Sequence, residues 1–189
     1  MKTKTPIKFG LQWGIICGIY CVIAIMILYI MGIKYFAGFF RFMPSILYYV
    51  LFLIGAFQLR KAQGGFISFK DVFVALIICS AVVVVINTIF AYILQTVIDP
   101  NLPDEVKKYW MDWTYNWMNG KVPDEKIQET LKEMEGKDYG MSVKNMLIGL
   151  PMGVGLDAII ILIIAAIVKR KNPMAEFGPM TIPNPPEVH

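Results

Sequence analysis

Residues 146–168 form an apolar run long enough to cross a bilayer, and Asp157 near its middle is the one ionisable side chain in it. A helix rises about 1.5 Å per residue and the hydrocarbon core is about 30 Å thick, so roughly 20 apolar residues suffice. No water is present at that depth to pair backbone N–H and C=O groups, which leaves the helix as the form that satisfies them within one segment. The run follows the one large polar stretch and leads into Lys169-Arg170-Lys171. It therefore fixes a span, its direction and one costly polar group together.

Three further runs have the same character, at residues 9–31, 42–59 and 72–98. The chain is 57% hydrophobic, above the half expected of a soluble domain. The excess is confined to these four blocks, and the charges lie between them. The pattern predicts an all-α integral membrane protein with four transmembrane helices in a membrane domain of residues 1–171. The first run is longer than the apolar core of about 7–15 residues in a signal peptide and lacks a small-x-small cleavage site, so it reads as a retained helix. The third, at about 40 Å, must tilt or project. Pro44 falls in the first turn of the second run, where proline is tolerated. The five prolines between Pro173 and Pro186 preclude a helix in residues 172–189, which are expected to be a disordered cytoplasmic tail.

Residues 99–143 are the substantial polar loop, with ten acids against six bases and a net charge of −4. Two amphipathic helices are expected there, over residues 104–118 and from Pro123 to about 135. The first places Trp110, Trp113 and Trp117 on one face, as an interfacial aromatic belt would; a binding face for sugar rings or a partner peptide is the alternative. Lys2, Lys4, Lys8, Arg60, Lys61, Lys70 and Lys169-Arg170-Lys171 fall on one side of the membrane, and the acidic loop falls on the other. The positive-inside rule then puts both termini in the cytoplasm and the loop outside, which four spans permit.

Gly10, Gly14 and Gly18 recur every fourth residue and line one face of the first span, inviting a close helix contact. That face could serve self-association. Trp13 sits near the cytoplasmic end of the span, where an interfacial ring is expected. Lys8–Cys17 and Lys70–Cys79 share a Lys and an Ile-Ile-Cys at the same spacing, consistent with two parallel hairpins or with chance likeness between apolar helices. Cys17, Cys21 and Cys79 all lie in apolar blocks and read as small buried hydrophobes rather than a disulfide framework.

Asp157 is the strongest candidate for chemistry. A carboxyl near the bilayer centre costs ~2.5–3.5 kcal/mol on insertion scales, so it faces protein or water. Counting helical rise from Lys169 and from Lys70 places it in depth between Ser80 and Asn87 of the third span. It can serve a proton- or cation-coupled site, or act as interhelical glue. No second carboxyl lies within a span, and Asp71 lies at the interface. Just before Asp157, Gly149 and Gly153 offer a packing face and Pro151 loosens the turn, either as a broken-helix site or as a tolerated kink. No phosphate-binding loop, hydrolase or metalloprotease motif is present, and the one histidine, His189, rules out a Cys/His metal cluster. No cofactor, metal or nucleic acid is expected.

The segment Gln63-Gly64-Gly65-Phe66-Ile67-Ser68-Phe69-Lys70 resembles the turn between spans two and three in the bacterial inner-membrane proteins grouped as domain of unknown function 4199. Lys4-Thr5-Pro6-Ile7-Lys8-Phe9-Gly10, the outer loop with its acidic helix and the closing Lys169-Arg170-Lys171-Asn172-Pro173 resemble that family in the same order. The resemblance implies a bacterial inner-membrane protein and supplies no activity. Neither Asp157 nor the Trp-rich segment belongs to that family pattern. The leading expectation is a non-enzymatic structural or accessory protein, associated with lipid and with a second copy or another membrane protein. The alternatives are a small proton- or cation-linked transporter or channel subunit using Asp157, or an envelope sensor acting through the loop.

Overall fold

A computed structural model describes residues 5–170, apart from Met141 and the side chain of Val143. The tail expected at 172–189 lies outside the described residues. Seven α-helices form among them: α1 Pro6–Ile30, α2 Ile33–Ala37, α3 Met43–Ala62, α4 Phe69–Ile93, α5 Leu102–Met118, α6 Asp124–Glu135 and α7 Val143–Val168. A 3-10 turn, Phe39–Phe42, leads into α3, and a π-helical turn, Leu94–Ile98, closes α4. The helices α1, α3 with its leading turn, α4 with its closing turn, and α7 are each long and apolar enough to cross a membrane. The protein is all-α and multi-pass, as its apolar runs predict. The helices overrun those runs by a few residues because flanking polar residues such as Lys8 and Lys70 continue the same backbone.

Local signals set the ends. Pro6 opens α1 with its φ already helical. Gly64 (φ 81°) and Gly65 (φ 90°) turn the chain between α3 and α4 in a conformation that L side chains rarely adopt. Ser68 then caps α4: its hydroxyl accepts from the Asp71 N–H at 3.0 Å and donates to the Asp71 carboxylate at 2.8 Å. At the far end of α4 the Asp99 N–H reaches back to the Leu94 carbonyl at 2.8 Å, and Asp99 accepts from the Tyr29 hydroxyl at 3.1 Å. The ends of α1 and α4 are thereby tied together. Ser142 caps α7 by accepting from the Asn145 N–H at 3.2 Å, and α7 runs unbroken through Pro151. The broken-helix alternative at Pro151 is therefore not what forms.

The bundle is built on α4, with α1 and α7 packed on it and α3 touching all three. The glycine face of α1 is what brings α1 so close. A Cβ at Gly10 would meet the Ala75 carbonyl, one at Gly14 would lie 2.8 Å from the Val82 Cβ, and one at Gly18 would lie 2.6 Å from the Ile86 Cδ1. These partners advance along α4 as the glycines advance along α1, so the two helices run parallel, as the repeat reading requires. The face expected to be open for self-association is occupied by α4 of the same chain. Trp13 also departs from expectation. Its indole N–H donates to the Leu51 carbonyl at 3.1 Å, its ring stacks on Phe9 at 5.8 Å, and Gly55 of α3 makes the room. It is an interhelical side chain rather than an interfacial one, because a paired N–H inside the bundle satisfies the indole without the headgroup region.

The two halves of the bundle differ. At the end holding Lys8, Arg60, Lys61, Lys70 and Arg170, here called the basic end, a core of Phe52, Ala56, Leu59, Val72, Ala75 and Ile161 is wholly buried. An isolated bridge between Ile67 and Arg170, with both N–H···O bonds at 3.0 Å, ties α7 to the turn before α4. At the loop end a small cluster of Phe36, Leu94 and Leu102 seats α5 on the bundle. Outward-facing aliphatic residues such as Ile15, Ile23, Ile159 and Ile163 are more than half exposed and suit contact with lipid.

Candidate functional site

Asp157 lies 14 residues from the start of α7 and 11 from its end, so at mid-helix, and it is only 7% exposed. Three hydroxyls converge on its carboxyl group. Tyr48 donates to Oδ2 at 2.9 Å, Tyr49 donates to Oδ1 at 2.9 Å, and Ser80 donates to Oδ2 at 2.6 Å. Adjacent residues on a helix point about 100° apart. For Tyr48 and Tyr49 to reach one carboxyl group, Asp157 must enter between them. The acid thus ties α7 to α3 and to α4 at one point. Tyr48 is itself 7% exposed and its ring packs on Phe52 at 4.4 Å, which holds the hydroxyl in place.

Counting depth along the helices places Asp157 between Ser80 and Asn87, and the bond that forms is with Ser80. Asn87 is placed differently. Its Nδ2 donates to the Val83 carbonyl of its own helix at 2.9 Å, and its Oδ1 is buried with no partner among the described residues. Asn87 nevertheless lines the same cavity as Asp157. Residue counting on α4 alone could not reveal Tyr48 and Tyr49. The available signal is two tyrosines inside an apolar run, each with an O–H that must find an acceptor once buried.

That cavity measures about 440 Å³ and is walled by all four spans in the loop half of the bundle. Asp157, Tyr48 and Tyr49 line its deeper part, and Arg41 and Gln95 line it toward the loop end. Arg41 is exposed, and its guanidinium lies 5.7 Å from the centre of the Phe36 ring. Between these levels the wall is largely aliphatic, including Ile25, Leu28 and Val84. Gly153 also lines the cavity; a Cβ there would only touch the Val84 methyls at 3.4 Å, and one at Gly149 would meet nothing within 4 Å. The expected packing face of α7 is therefore loose at Gly153 and open at Gly149.

The acid-bearing span, the double-glycine turn and the first two residues of the closing basic run, Lys169 and Arg170, fall within one match. Residues 12–170 match the family described as Protein of unknown function (DUF4199). The chain belongs to the DUF4199 family. No curated protein and no solved structure matches it. Membership of DUF4199, a family of unknown function, carries no activity with it. Among the described residues no cluster of three or more His, Cys, Asp or Glu could hold a metal ion.

The loop helices stand apart from this site. On α5 the rings of Trp113 and Trp117 stack at 6.3 Å, Trp110 meets Trp113 edge-on at 5.7 Å, and Lys121 lies 4.9 Å from the Trp117 ring centre. Trp113 and Trp117 are about half exposed, and Trp110 is partly buried. Ile127 of α6 is buried against this hairpin, and Lys107 donates to the Glu135 carbonyl to close it.

Proposed function

We propose that the protein is a non-enzymatic transporter or channel subunit of the bacterial inner membrane that admits a small solute or ion to Asp157 from the loop side. One observation carries the reading. The carboxyl held by Tyr48, Tyr49 and Ser80 forms part of the wall of a cavity of about 440 Å³, while the basic half of the bundle is packed. An acid that only glues helices together needs its three donors and no cavity beside them. This favours passage or binding over a purely structural role. Binding rather than catalysis fits walls that are mostly apolar with a few convergent polar groups. The basic residues at one end and the acidic loop at the other support cytoplasmic termini, so that the cavity opens outward.

The reading is tested in liposomes carrying a pH-sensitive dye, in the presence and absence of a sodium gradient. Wild-type protein is expected to pass protons or sodium, and Asp157→Asn to lose most of that flux while keeping its fold. Equal flux in both proteins, or none in either, would sink the proposal.

The exposed Trp113–Trp117 stack supports an interfacial seat for α5. In bilayers brominated near the headgroups, tryptophan emission is expected to be quenched, and Trp113→Phe with Trp117→Phe to remove most of that quenching. Efficient acrylamide quenching of the same two residues would instead place them in water, free for a partner of the sensor kind. A second copy or another membrane protein would have to dock on a face other than the Gly10/Gly14/Gly18 stripe.

A further inference from the structure

Resting on the cavity reading above, we infer that the cavity takes an organic ammonium group, bound between the Asp157 carboxyl and the unpartnered Asn87 carbonyl, with the apolar body of its ligand along the aliphatic walls. Both named groups are acceptors, both residues line the same cavity, and the Asn87 Oδ1 lies just beneath its surface, where a small shift of the side chain brings it to a ligand. Asp157 has two oxygens with about four acceptor positions, and three hydroxyls occupy three of them. Oδ1 receives Tyr49 alone, so it retains room for one further donor. Asn87 donates one of its two amide N–H groups to the Val83 carbonyl, which fixes its orientation and leaves Oδ1 as a buried acceptor. A buried acceptor without a donor is costly, and an N–H-bearing ligand removes that cost at Asn87 while filling the remaining position at Asp157. An ammonium has three donors and carries the charge that a carboxylate complements.

The cavity has room for more than a bare ion. The volume of about 440 Å³ lies in the range of small-molecule sites, roughly 300–1,000 Å³, and far exceeds one ion. The wall between the levels of Asn87 and Gln95 spans eight residues of helix, or about 12 Å, and is mostly aliphatic. The tyrosine rings beside Asp157 also suit a cation, through their negative faces. Among the described residues Arg41 is the one permanent cation lining the cavity, and it lies toward the loop end. It leaves the Asp157 end to the ammonium and offers an acid on the far end of the ligand a place to pair.

The test uses three water-soluble probes of one length on the full chain in nanodiscs, with empty nanodiscs subtracted: hexylamine, 6-aminohexanoate and hexanoate. Hexylamine and 6-aminohexanoate are expected to bind at least about tenfold more tightly than hexanoate, the scale of a charge-assisted hydrogen bond. Asn87→Asp should tighten the two amines and Asn87→Leu should weaken them. Arg41→Ala should weaken the two carboxylates and leave hexylamine unchanged. Thermal unfolding of each variant shows whether a lost affinity is a lost fold, and the opposite signs expected at Asn87 cannot both arise from misfolding. Binding of hexanoate as tight as that of hexylamine, or affinities indifferent to Asn87, would overturn the ammonium assignment and leave the cavity reading standing. Binding of none of the three, together with unchanged flux in Asp157→Asn, would remove both.

Discussion

Asp157→Leu is expected to lower the stability of the assembled bundle by about 2–3 kcal/mol, although Leu suits the bilayer far better than Asp. The two effects belong to different steps. Insertion of α7 should become easier, because a mid-membrane acid costs ~2.5–3.5 kcal/mol on insertion scales. Assembly should become harder, because the hydroxyls of Tyr48, Tyr49 and Ser80 lose their common acceptor. Interhelical hydrogen bonds in membranes contribute roughly 0.6 kcal/mol on average and up to about 1.7. Three of them on one group account for the expected loss. Asp157→Asn should lose less, because its carbonyl still accepts and a hydroxyl can turn to accept from its amide. Reversible unfolding in bicelles measures the difference. A Leu variant as stable as wild type would show that the three hydroxyls contribute nothing to holding α3 and α4 on α7.

The second large effect is expected at Gly10. Gly10→Leu should cost about 3 kcal/mol, near the upper end of the usual overpacking range. The added Cβ meets the backbone carbonyl of Ala75, which cannot rotate away as a side chain can. The α1–α4 pair would have to separate along its length. Gly149→Ala is the control, since a Cβ there meets nothing within 4 Å. It should be neutral or stabilising by up to about 1 kcal/mol through helix propensity. A Gly10→Leu protein that melts with wild type would refute the close parallel contact between α1 and α4.

These two sites also show what a single chain does and does not declare about its fold. The four spans and both loop helices are legible because length and apolar periodicity are local properties. The glycine stripe announces a close contact, but not with which surface. Only the packing shows that Ala75, Val82 and Ile86 fill it. At Asp157, depth along a helix can be counted, so Ser80 was within reach of sequence reasoning. Azimuth, the rotation of one helix toward another, cannot be counted, and Ser80 and Asn87, seven residues apart, share a face, so counting separates neither them nor the tyrosines of α3 from other candidates. The same lack of azimuth put Trp13 at the membrane surface, when its N–H is in fact paired to Leu51 inside the bundle. The cavity itself is a property of four helices together, and no one of them encodes it.

The bridge between Ile67 and Arg170 has a mechanical consequence. It fastens the last span to the hairpin turn at the end where the core is already solid, so the bundle is clamped like tweezers at the base. Such a shape has one compliant end. With the arm of α7 beyond Asp157 roughly 20 Å long, a tilt of roughly 5° moves its tip by roughly 2 Å. With the packed half holding α7 as far as Asp157, displacements of that size at the rim would change the width of the entrance while the three hydroxyls kept their grip on the acid.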